Sequence, residues 1–246
     1  MSRRLSGCHS LRWGDPAGAL PSWWKPYERD LVMTIEEHRM QAATLMRALG
    51  HDFVARDLDD EQLDEFTAHL EELHRIVARG ELRTRIVPSG ALEGFKMAVP
   101  SEDSTEKHQL FSDSVVSGGA NPMGLGAFLW REGDVSVMQV SLGKAFEGAP
   151  GRAHGGIVAA LIDETMGLVL AISDVLAYTV QLDISYLAPT PINEPVVARA
   201  WLEKRDGRKL FIAAKVQVGA IELASASGLF IAVDPQKFLE HLAVSD

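Results

Sequence analysis

His154-Gly155-Gly156-Ile157-Val158-Ala159-Ala160-Leu161-Ile162-Asp163-Glu164-Thr165-Met166-Gly167 decides how this chain folds. It reads as a glycine-rich turn opening onto a helix that is apolar on nearly every side. A helix without a polar face is a buried helix. Two adjacent carboxylates nonetheless sit in its middle. A buried charge is unfavourable unless it is paired, neutralised or set in a functional cavity. That conflict between burial and charge marks the stretch as a candidate site.

Working outward, the helix spans roughly 155 to 172 and is flanked by β-rich runs. Gly124 to Trp130 and Val135 to Leu142 precede it as two strands around the turn Arg131-Glu132-Gly133-Asp134. Tyr178 to Leu187, Val196 to Lys204, and Leu210 to Val218 continuing through Ile221 to Val233 follow it. Asp206-Gly207 is a strong hairpin signal. One buried helix among about six strands must be covered by a strongly curved antiparallel sheet, since nothing else in this half is large enough. The fold class expected is α+β.

Upstream, two helices are expected. Thr34 followed by Glu37 has capping-box spacing, and that helix is expected to stop at Gly50. The second begins near Asp59 or Asp60 and stops at Gly80. It carries Leu63, Phe66, Leu70, Leu73 and Val77 at alternating three and four spacing, one apolar stripe on a charged helix. The chain then divides into an arm (1–27), a helical hairpin extension (28–82), a connector that could add a strand (83–120), a main domain (121–234) and a tail (235–246). The arm holds Trp13, Trp23 and Trp24.

Composition narrows the function. Net charge is −10 over 246 residues, which argues against general nucleic-acid binding. The single cysteine, Cys8, excludes an internal disulfide and any multi-cysteine zinc site, and suits a reducing cytoplasm. Arg3 and Arg4 lack an apolar stretch behind them, so no secretory signal is expected. No apolar run is read as approaching the ~18 residues of a membrane span. His69 and His74 are not at the i, i+4 spacing of a zinc pair, so no metal and no cofactor is expected. His51-Asp52 reads as helix-capping chemistry. No nucleophile elbow, phosphate loop or dinucleotide fingerprint is present.

Helix geometry sharpens the candidate site. Asp163 shares a face with Gly156, Ala159, Ala160, Met166 and Gly167, at spacings of three, four and seven. That mostly small stripe leaves room either for a ligand or for close packing of another element. The backbone N–H groups at Gly155 and Gly156 point out of the positive end of the helix dipole, a place to hold a carbonyl oxygen gaining negative charge. Gly156 and Asp163 are, however, ~10 Å apart along the axis at ~1.5 Å per residue. One bound carbonyl cannot easily use both. The resolution is a twofold assembly of antiparallel helices, each lending its carboxylate to the other's N-terminus. Glu164 points ~100° away around the helix and reads as an interface or hydrogen-bonded residue.

At these residues the chain resembles a known family. His154-Gly155-Gly156 with Asp163 is similar to the signature of hotdog-fold acyl-CoA thioesterases of the phenylacetate-pathway type. The likeness is closest to the subgroup of mammalian thioesterase superfamily member four. Thr179-Val-Gln-Leu-Asp-Ile-Ser-Tyr186-Leu-Ala-Pro189, Gly207-Arg208-Lys209 and the closing Ala-Ser-Ala-Ser-Gly-Leu-Phe strand fit as well. The resemblance covers about 121 to 234 and leaves the helical extension outside. It implies a hotdog fold, a homodimer or dimer of dimers with sites at the interface, an acyl-CoA substrate, and a place in fatty acid metabolism. It implies Asp163 as general base or nucleophile, and Gly155, with Gly156, as backbone donor to the thioester oxygen. His154 matches the motif histidine, and Thr179 a hydroxyl that helps place the water. Some relatives carry an Asn or Gln before the histidine as a further oxyanion contact; Gly148 stands at that position here. Arg205, Arg208 and Lys209, with Lys204, form a basic cluster around the 206–207 hairpin, either a solvated turn or a seat for a coenzyme A phosphate. Arg152 is a second phosphate candidate. Two function classes follow, a thioesterase and an acyl-CoA-binding or scaffold protein with little turnover; a hydratase ranks below both.

Overall fold

The computed structural model of the protein describes residues 34–83 and 112–234. The arm with Cys8 and the tryptophans, most of the connector and the C-terminal tail lie outside the described residues.

Helix α1 (Ile35–Ala55) starts at the expected capping box, with the Thr34 side chain accepting from Glu37 N–H. It does not stop at Gly50 but continues to Ala55. A mid-helix glycine is unfavourable by ~1 kcal/mol relative to alanine; the buried packing of His51 one residue later offsets it. Helix α2 (Asp60–Val77) carries its own capping box on Asp59 and Gln62. Its apolar stripe touches α1 where Phe66 stacks on Phe53, and no α2 residue is buried. The hairpin therefore docks on the main domain through α1. Arg47 of α1 donates to the carbonyls of Gly119 and Asn121 at 2.9 and 2.7 Å.

The main domain runs β1 (Phe128–Glu132), β2 (Val135–Ser141), a 3-10 turn (Lys144–Phe146), the short pair β3 (Glu147–Ala149) and β4 (Arg152–Ala153), α3 (Gly155–Ile172), β5 (Ala177–Tyr186), β6 (Pro195–Asp206), β7 (Lys209–Val218) and β8 (Ile221–Ala232). Six strands form one antiparallel sheet in the order β1-β2-β6-β7-β8-β5. The strand-helix-strand order matches the sequence reading, with ends shifted by a few residues. The turn and the small β3–β4 ladder are additions. Period-two burial explains the strands: Val196, Ala198 and Ala200 of β6, and Leu210, Ile212, Ala214 and Val216 of β7, all face the core. The β6–β7 turn centres on Gly207-Arg208, with Gly207 at φ +57°, a conformation that glycine adopts without strain.

Helix α3 fills the concave side of the sheet. Val158, Leu161, Ile162, Thr165, Met166, Leu168 and Val169 are buried. The helix is in fact long and apolar enough to cross a membrane, 18 residues at mean hydropathy 1.8. The sequence reading missed this because Asp163 and Glu164 interrupt the apolar run. Its packing against the sheet makes it the core helix of a wrapped domain. The sheet leaves β5 as an edge strand with Tyr178, Val180 and Tyr186 exposed.

Candidate active site

The carboxylate pair on α3 is split between two tasks. Asp163 lies half-exposed on the helix flank toward β5, where Thr179 Oγ1 donates to its Oδ1 at 3.0 Å. Thr179 stands opposite Phe230 of β8, beside a register irregularity between Thr179 and Gln181. A bulge of this kind re-aims the side chains next to it. Glu164 faces the other way. It accepts from Ser114 Oγ at 2.6 Å, from Ser117 N–H at 3.0 Å and from Ser117 Oγ. It thereby ties the 112–120 segment onto the helix. The two acids are consecutive in the sequence; the helix turns them onto different neighbours.

The expected small stripe holds for Ala159, Ala160 and Gly167, which are half-exposed, and for Gly156, which is exposed. Met166 does not share that exposure. Its side chain is buried and its sulfur lies against Gly228 of β8; it stands at the edge of the stripe that adjoins buried Ile162 and Val169, and its long side chain reaches the sheet from there.

At the other end of α3, His154 is the N-cap, and its Nδ1 accepts from Gly156 N–H at 3.0 Å. The motif histidine thus has a concrete local duty, and the Gly156 N–H is engaged by it. The N–H of Gly155 makes no hydrogen bond to the described residues and is the remaining donor at the helix start. Tyr186, at the far end of β5, donates from its phenol to the Gly155 carbonyl at 2.9 Å. Tyr186 was legible only as part of the third-strand likeness, without a role.

Gly155 and Asp163 therefore touch opposite ends of β5, Tyr186 and Thr179 respectively. Eight helical residues separate them, ~12 Å at 1.5 Å each. Within one chain they do not converge on one carbonyl.

The loop before the motif is packed tightly. A Cβ on Gly148 would lie 2.7 Å from His154 Cα. The site has no side-chain contact at position 148 because this backbone has no space for one. Glu147 pairs with Lys144 and accepts from Gly151 N–H. The Lys144 hydrogen bond, then that from Gly151, holds its carboxyl below the usual carboxylate range.

The basic residues fall in two places. Arg152 is exposed on β4 beside the helix start. Arg205, Arg208 and Lys209 are exposed around the β6–β7 turn. Register carries that turn toward Thr179: Leu210 pairs with Phe230, which pairs with Thr179. Lys209 is thus one residue from Thr179's row and two strands across, ~10 Å at ~4.8 Å per strand. Arg208 Nε donates to the Ala232 carbonyl, which fixes its stem. No group of three or more metal-ligating side chains occurs among the described residues.

A core helix wrapped by a six-stranded antiparallel sheet, with a carboxylate–hydroxyl pair on its flank and a glycine-rich start, defines a hotdog domain. Residues 150–224 match the family model described as thioesterase superfamily. Acyl-coenzyme A thioesterase THEM4 of Mus musculus is 40% identical over 107 residues, 42% of this chain and 44% of that protein. Acyl-coenzyme A thioesterase THEM5 of Mus musculus is 28% identical over 144 residues, 57% of this chain and 58% of that protein. The chain thus spans about half the length of these curated relatives. A solved thioesterase superfamily protein superposes with a TM-score of 0.67 at 22% identity, covering 78% of this chain and 90% of its own. That likeness extends the shared fold well beyond residues 150–224.

Proposed function

We propose that the protein hydrolyses an acyl-CoA thioester to a free acid and coenzyme A. The observation that carries this reading is the Thr179–Asp163 hydrogen bond on the half-exposed flank of an otherwise apolar helix. In the proposed reaction the thioester oxygen lies at the start of α3, on the Gly155 N–H. Asp163 takes a proton from water held near Thr179, and the hydroxide adds to the carbonyl carbon. The tetrahedral oxyanion is stabilised by the backbone donor and the helix dipole. The carbon–sulfur bond then breaks and the thiolate of coenzyme A leaves, taking up a proton. Direct attack by the carboxylate, followed by hydrolysis of the anhydride, uses the same atoms.

Because Gly155 and Asp163 of one chain diverge, each site is built from two copies. The β5 edge supports this assembly. β5 pairs with β8 on one side and stands at the edge of the sheet among the described residues, exposing Tyr178 at 53%, Val180 at 61% and Tyr186 at 53%. A long edge strand that also exposes large side chains invites pairing with another strand. An antiparallel copy paired there sets the partner's α3 against this one in the opposite direction. The similar proteins THEM4 and THEM5 are named acyl-coenzyme A thioesterases, which favours coenzyme A as carrier. Arg208 and Lys209, with Arg205, then suit its phosphates.

The test is thiol release from acyl-CoAs of graded chain length, comparing wild type with Asp163→Asn. General-base catalysis contributes about 10²–10⁴-fold, so the variant should lose at least a hundredfold. Equal rates in the two proteins refute Asp163 as the base. Binding of acyl-CoA with no release by wild type assigns the chain to a binding or scaffold role instead.

A further inference from the structure

We propose that His51 of the N-terminal extension is a positioning residue for the oxygen-binding start of α3, acting through the Lys144–Phe146 turn. The inference rests on the thioesterase reading above and extends its site to α1.

Four contacts make a continuous path. His51 is buried, and its Nδ1 accepts from Ala145 N–H at 3.0 Å. Its ring meets Phe146 edge-on, with centroids 5.0 Å apart. The Phe146 carbonyl accepts from His154 N–H at 2.8 Å. His154 Nδ1 in turn accepts from Gly156 N–H. The turn is gripped on both flanks: a Cβ on Gly143 would lie 2.5 Å from His51 Nδ1, and one on Gly148 would lie 2.7 Å from His154 Cα. Two glycines thus let one short loop run in direct contact with α1 on one side and with the helix cap on the other. Rigid packing of this sort transmits small displacements instead of absorbing them.

The placement is more than a generic anchor. Arg47 already fastens α1 to the 119–121 segment, so the extension is held without His51. His51 bonds the turn that orients the Gly155 N–H. A donor must meet the oxyanion within a few tenths of an ångström, and a 1 Å misplacement lowers rate by about 10²-fold. The effect falls on kcat, since the oxyanion exists only in the transition state.

Measured on the full chain, His51→Ala should lower kcat for thiol release about tenfold or more, with KM within about threefold of wild type. His51→Asn restores an acceptor where Nδ1 stood and should recover kcat to within about threefold. Gly143→Ala pushes a methyl group into the ring and should be defective alone, yet add nothing to His51→Ala. Normal thermal unfolding of the Asn variant provides the folded control. Wild-type kcat in His51→Ala, with Asp163→Asn inactive in the same assay, overturns the proposal while leaving the hydrolytic reading intact. If wild type releases no thiol, the hydrolytic reading fails and amide exchange over residues 144–158 decides the positioning. Faster exchange in His51→Ala but not in His51→Asn upholds it; unchanged exchange in both overturns it.

Discussion

Removing the Glu164 carboxylate should damage stability and spare chemistry, the reverse of removing its neighbour. Glu164 accepts from two serine hydroxyls and one backbone N–H on the 112–120 segment, and Ser117 is fully buried. In Glu164→Ala these donors lose a charged acceptor. Stranded buried donors cost ~1–3 kcal/mol each, and the hydroxyls can turn to other acceptors where the N–H cannot. The net loss works out at about 3 kcal/mol, dominated by the Ser117 N–H and the charge-assisted bonds. For a domain of this size ~1 kcal/mol moves Tm by about 2–4 °C, so a fall of roughly 6–12 °C is expected. Thermal unfolding by circular dichroism measures it. Thiol release at a temperature well below both transitions should stay within about threefold of wild type. Asp163→Asn should behave oppositely. Its Oδ1 still accepts from Thr179, so Tm stays within a few degrees while release collapses. A Glu164→Ala protein with wild-type Tm and no thiol release would falsify this division of labour.

Other outcomes follow from the same geometry. Gly148→Asn, which reinstates a side chain before the motif, should lower both Tm and kcat, because its Cβ meets the His154 backbone at 2.7 Å; faster hydrolysis would contradict the packing argument. Val180→Glu places charge on the exposed β5 edge and should shift the protein toward monomer in light scattering, with specific activity falling on dilution; a fully active monomer would refute the two-chain site. Stability should also fall on acidification. Burial, assisted by Arg47 and opposed by Asp52, holds the folded His51 imidazole below the ordinary value of 6.5. The unfolded chain therefore takes up a proton as pH drops through about 6.5 while the folded chain does not, so stability declines from there down to the lowered folded value. Chemical denaturation from pH 7.5 to 5 should show a shallower decline in His51→Asn. Identical slopes for the two proteins would remove His51 from the acid response.

Much of the candidate site could be picked out before any tertiary structure. His154, Gly155 and Asp163 announced themselves because an apolar helix has few reasons to carry charge, and its start few reasons for two glycines. Thr179 came from the third-strand likeness, not from any spacing, and the structure sets it 3.0 Å from Asp163. Gly50 misled because a glycine suggests a helix end only when nothing packs beyond it. His51 was missed for the same reason, since its partner Ala145 lies 94 residues away.

The sequence by itself determined the curved sheet around one helix, through period-two burial in the strands and the apolar character of Gly155–Ile172. It also determined which residue types stand at the helix start and middle. Both are local properties, readable from composition and spacing over a few turns. Only the tertiary structure decided that Asp163 meets Thr179 while Glu164 binds the serine loop, that Gly148 has no space for a side chain, and that α1 reaches the turn before the motif. Each of those depends on which distant segment arrives beside a given face, and that is set by packing the whole chain at once.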